Sequence, residues 1–128
     1  MSPQISRLRK NCVAVIEGEN PEPAYGTHAL FFPGDSVRYP ESRDLAVILP
    51  ELVEKFQGRF SLVLVCESAE KRLQAKYGFS AWPATVFIRD GKYLGALTGL
   101  CDWSEFVEKI SLILDSKPAR PVIRIVAN

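Results

Sequence analysis

The sequence predicts an α/β fold: a central mixed β-sheet of four to five strands, flanked by helices. Three observations carry that prediction. Short apolar runs at 12–16, 29–32 and 60–66 have the length of buried strands. A stretch with helical periodicity separates the second run from the third. Asp90-Gly91, between two further strand-like runs, is a hairpin signal. The chain has 128 residues, 47% apolar and 24% charged, the size and balance of one globular domain. The expected organisation is a single domain over 1–128, with its core at about 12–115 and a tail at 116–128.

Residues 12–16 (CVAVI) read as the first strand. Two prolines and two glycines between Glu17 and Thr27 make a loop. Residues 29–32 (ALFF) form a second strand, broken by Pro33, Gly34 and Asp35. A helix then starts near Ser42, with Leu45, Ile48, Leu49, Leu52, Val53 and Phe56 on one face. Pro50 lies inside it and should kink it, since proline removes a backbone donor and crowds the preceding turn. Gly58 is a plausible stop.

Residues 60–66 (FSLVLVC) are the strongest strand, apolar at every position but Ser61 and suited to the sheet centre. Ser68 is placed to cap a short helix that ends at Tyr77-Gly78. Residues 84–89 and 92–98 pair antiparallel across Asp90-Gly91. Asp102 and Glu105 have capping-box spacing before a last helix that runs to about Leu114. Trp103, Phe106, Val107 and Ile110 are expected to face inward. The order is thus β, β, α, β, α, β, β, α. The terminal VIRIVA suits either an edge strand or a loose end.

Composition excludes several functions. Sixteen basic and fifteen acidic residues give a net charge of +1, which predicts no nucleic-acid partner. No apolar run approaches the roughly 20 residues of a membrane span. No apolar stretch follows the basic residues of Met1 to Lys10, so no secretory signal is expected and the cytoplasm is the expected compartment. Cys12, Cys66 and Cys101 form no CxxC, and with one histidine, His28, the paired spacing of a zinc site is missing. No cofactor or metal is expected. His28, beside an apolar run, reads as structural or solvent-facing, and Cys12 and Cys66 read as core. Cys101 precedes a helix N-terminus, where a thiolate is favoured.

The segment YGFSAWPATVFIRDGKYLGALTG, residues 77–99, resembles the C-terminal half of a thioredoxin fold. Pro83 and Thr85 match that family's cis-proline loop, so the resemblance implies a cis bond at Trp82-Pro83. The helix with Pro50 resembles the one that follows the thioredoxin active site. There the kink proline lies eight residues after the first CxxC cysteine, and counting back from Pro50 reaches Ser42. The tetrad is Ser42-Arg43-Asp44-Leu45, with neither cysteine. Dithiol exchange needs a thiolate and a resolving thiol, and a serine hydroxyl supplies neither. No catalytic residue of that kind is therefore expected.

Among thioredoxin-like proteins without CxxC, the chain is similar to the HyaE/HupG group of hydrogenase accessory proteins. Phe79, Pro83-Ala84-Thr85, Gly91-Lys92-Tyr93, Gly95, Leu97, Gly99 and Trp103 carry the resemblance, with Pro40-Glu41 and Leu49-Pro50-Glu51. It covers roughly residues 29–114. It implies a non-catalytic chaperone for nickel–iron hydrogenase maturation. Such a chaperone would bind the hydrogenase small subunit precursor and its twin-arginine signal peptide before export.

Charge placement suits that client. Residues 17–54 hold eight acids and two bases, whereas 1–16 carry +3 and 55–128 carry +4. Carboxylates pair well with guanidinium groups. Client binding is therefore expected at Glu41, Ser42 and Asp44, with Tyr39, Leu45, Trp82 and Pro83 as an apolar rim. The backbone before Pro83 would pair with an extended peptide by strand addition. An alternative from a different class is a monothiol redox protein that uses Cys101. A third reading is a scaffold dimerising through VIRIVA, and the expected state is a monomer or weak homodimer.

Overall fold

The structure is a computed structural model and describes residues 2–118. The VIRIVA segment lies outside the described residues. The elements are α1 (Pro3–Arg9), β1 (Cys12–Ile16), β2 (Thr27–Phe32), α2 (Glu41–Lys55), β3 (Ser61–Val65), α3 (Glu67–Tyr77), β4 (Ala84–Arg89), β5 (Lys92–Thr98) and α4 (Trp103–Leu114). The strands form one sheet of order β1-β3-β2-β4-β5. β1 and β2 run parallel to β3, while β4 is antiparallel to both β2 and β5. The sheet is thus mixed and five-stranded, as the sequence predicts.

Strand side chains alternate between two cores, as period-two geometry requires. Ala29, Phe31, Leu62, Leu64 and Phe87 face the layer of α1, α2 and α4. Leu30, Phe32, Val63, Val65, Val86 and Ile88 face α3. Burial on both faces is why these strands read as continuous apolar runs. Asp90 and Gly91 both have positive φ, 52° and 77°, the turn that joins β4 to β5. The Trp82–Pro83 peptide is cis.

Four local expectations need correction. Helix α1 was not expected; Ser2 caps it by accepting from the Ile5 N–H at 3.2 Å, Pro3 opens it, and Ile5 and Leu8 are buried. Ser68 does not cap α3. The cap is Cys66, and the Ser68 hydroxyl accepts from the Gly18 N–H at 2.8 Å, tying down the 17–27 loop. Asp102 is the N-cap of α4 but makes no side-chain cap bond. Trp103, the first residue of α4, is 44% exposed, and the buried face of the helix is Phe106, Ile110 and Leu114.

Candidate functional site

The site lies around the first turn of α2, the segment 33–40 that leads into it, α3 and the loop before β4. In α2 the buried positions are Ser42, Leu45, Ala46, Leu49 and Leu52, one inward face at three- and four-residue spacing. Ser42 has no exposed surface, and its hydroxyl finds no partner among the described residues. Leu45 is part of the core beneath the sheet. Pro83 is buried as well. These three expected client contacts are therefore buried. The same periodicity turns Glu41 and Asp44 outward, where both are exposed, in the helix first turn that favours negative charge.

Trp82 and Tyr39 do come together. Their rings stack with centroids 6.0 Å apart, and Trp82 also meets Phe79 edge-on at 5.3 Å. These aromatic partners lie in the 33–40 segment and just after α3. Gly34 permits this closeness. A Cβ there would stand 2.8 Å from Trp82 Cδ1 and 2.9 Å from Tyr39 Cδ2, and its φ of +67° also favours glycine.

A residue the sequence reading missed organises this corner. Glu70 on α3 is only 9% exposed. Its Oε1 accepts from the Trp82 indole N–H at 3.0 Å, and its Oε2 accepts from the Gly34 N–H at 3.2 Å. Burial pushes its carboxyl above the usual carboxylate range; these two bonds oppose the shift and the nearby Glu67 adds to it. The available signal was spacing, since Glu70, Leu73 and Tyr77 share a helical face. Beside this group is a cleft of about 510 Å³ that reaches from Ile5 to Trp82.

The structure sorts the acids of residues 17–54. Glu17, Glu19 and Glu22 face bases of α1 and α3: Arg9 at 3.5 Å, Arg72 at 3.8 Å and Lys76 at 2.7 Å. Burial raises the Glu22 carboxyl, but the bonds from Lys76 and the Tyr77 hydroxyl outweigh it and leave it below the ordinary value. These acids hold the 17–27 loop against the body. Asp35, Glu41 and Asp44 have no ion-pair partner among the described residues.

Cys12, Cys66 and Cys101 are all free and half-buried. Burial raises the Cys12 thiol to about 11. Cys66 is raised by burial and by Glu17. The thiolate expected at Cys101 is not favoured: burial, Glu105 and Asp102 raise its thiol against the opposing pull of Lys109. His28 Nε2 lies 2.8 Å from the Tyr25 carbonyl, and its Nδ1 has no partner among the described residues. No group of three His, Cys, Asp or Glu suited to a metal occurs among the described residues.

Fold and site together define a thioredoxin-like protein with a buried serine, Ser42, in the first turn of α2. The family described as hydrogenase-1 expression protein HyaE matches residues 19–106, and the chain belongs to that family. A hydrogenase expression/formation protein HoxO of Azotobacter vinelandii is 46% identical over 98 residues, covering 73% of this chain and 66% of that protein. HupG of Rhodobacter capsulatus is 38% identical over 92 residues, 72% of this chain and 67% of its own length. The matched stretch thus spans about two thirds of these curated relatives. The crystal structure of a HupG hydrogenase expression/formation protein of Rhodopseudomonas palustris superposes with a TM-score of 0.54 at 32% identity, covering 79% of this chain and 94% of that one. A thioredoxin of Fasciola hepatica has a TM-score of 0.54 at 22% identity, over 67% of this chain and 79% of that one, a likeness of fold alone.

Proposed function

We propose that the chain is a non-catalytic chaperone of nickel–iron hydrogenase maturation, acting in the cytoplasm. It binds the hydrogenase small subunit precursor, with its twin-arginine signal peptide, before export. The observation that carries this reading is the α2 first turn of a hydrogenase expression family member. Its nucleophile position is a buried serine, and its surface carries the exposed carboxylates Glu41 and Asp44 near the Tyr39–Trp82 stack. A cationic peptide end pairs with the carboxylates, and its apolar stretch lies on the aromatic pair. The exposed Ala81 lies ahead of Pro83, where an extended peptide would add as a strand. The monothiol alternative gains no support, since the Cys101 thiol is raised rather than lowered.

The test is size-exclusion chromatography of the purified chain with the small subunit, with and without its signal peptide. Co-elution with the precursor alone is the expected result. Equal co-elution with both forms would remove the signal peptide from the reading, and co-elution with neither would end it.

A further inference from the structure

We propose that the cleft beside Glu70 is a receptor for one arginine side chain of an extended peptide, with Glu70 as the counter-charge and the Trp82 and Tyr39 rings as the wall. The assignment rests on the client reading in taking a peptide as the source of the guanidinium.

The first ground is an uncompensated charge. Buried carboxylates are ordinarily paired with a cation. Glu70 holds two neutral N–H donors and no cation among the described residues. The groups around it add none. Asp35 and Tyr39 face the cleft from the 33–40 segment, Cys66 and Glu67 from the start of α3, and no Lys, Arg or His among the described residues lines it.

The second ground is geometry. The Trp82 and Gly34 bonds take one site on each carboxylate oxygen. A carboxylate has about four such sites, so one remains open on each oxygen. A planar guanidinium presents two parallel N–H groups that match such a pair, and its face stacks on aromatic rings. The chain itself shows this affinity: the Arg38 guanidinium lies 5.7 Å from the Tyr39 ring centroid. An ammonium lacks the fork and the flat face. The cleft volume of about 510 Å³ leaves room for a long side chain.

A consequence follows from the raised Glu70 carboxyl. A bound cation favours the charged form, so binding releases protons and strengthens as pH rises through the Glu70 titration.

The experiment is a heteronuclear NMR titration of the labelled chain with Nα-acetyl-arginine amide and with its lysine analogue. The Trp82 indole N–H is assigned through Trp82→Phe. The expected result is a saturable shift of that resonance with the arginine amide, weaker by about tenfold or more with lysine. Glu70→Gln, which retains an acceptor for the indole, should weaken arginine binding by a similar factor and abolish its pH dependence. If Glu70→Gln does not fold, the wild-type pH profile decides alone. No Trp82 shift, or a shift independent of pH, overturns the assignment, and equal lysine binding overturns the guanidinium. If the twin-arginine peptide binds while the Trp82 resonance stays fixed, the cleft assignment fails and the client reading stands. If the arginine amide seats as described while peptide and precursor do not bind, the cleft stands and the client reading fails.

Discussion

The indole nitrogen of Trp82 donates to Glu70 Oε1 at 3.0 Å, joining the loop before β4 to α3. Through the other carboxylate oxygen the link extends to Gly34, beyond the end of β2. One side chain thus fixes two loops that emerge at the same end of the sheet, as sites in open α/β sheets generally do.

Gly34→Ala tests this corner. The added Cβ meets two ring atoms at under 3.0 Å and occupies a backbone conformation that alanine resists. Chemical denaturation should show a loss of about 1–3 kcal/mol. Tryptophan emission should shift as Trp82 moves. An unchanged spectrum and midpoint would contradict the packing described.

Leu45 and the α2 acids should separate stability from binding. Leu45→Ala opens the core and should cost about 2–5 kcal/mol. Glu41→Lys with Asp44→Lys alters exposed groups and should cost about 1–2 kcal/mol, through the helix dipole. The acids, not the leucine, are the variants that interrogate the client surface.

Two glutamates should respond oppositely to pH. The Glu22 carboxyl is lowered in the fold, so its contribution is present above the unfolded value and is lost as pH falls through the folded one. Glu22→Gln should therefore destabilise the chain at pH 7, and the difference should shrink in acid. The Glu70 carboxyl is raised, so its favourable contribution is complete below the unfolded value and is lost as pH rises through the folded one. Glu70→Gln should gain on the wild type as pH rises. Thermal melts across pH 3–8 measure both.

The cysteines should prove inert. With Cys12 at about 11 and Cys66 and Cys101 raised, alkylation at pH 7 should be slower than for a free thiol. Insulin reduction should be absent in the wild type and in Cys101→Ala alike. Activity that disappears in Cys101→Ala would restore the redox reading.

Much of this was legible in the residues. The short apolar runs and the Asp90-Gly91 turn foretold the mixed sheet and its closing hairpin. Leu45 shows a conflict between two signals: resemblance put it at the rim, whereas spacing with Leu49 and Leu52 put it inside, and burial follows the spacing. Helix α1 escaped because Ile5 and Leu8 are a single apolar pair in a seven-residue element, too short to show a period. Glu70 escaped because a glutamate in a helix first turn is ordinarily solvated. Only the tertiary approach of Gly34 and Trp82 buries it.

The most direct measurement is a calorimetric titration of the purified chain with the small subunit signal peptide, against a control carrying Lys-Lys in place of Arg-Arg. The account predicts tighter binding of the Arg-Arg peptide, weakened by Glu41→Lys with Asp44→Lys. Absence of binding to either peptide, with no binding of the full precursor, would contradict it.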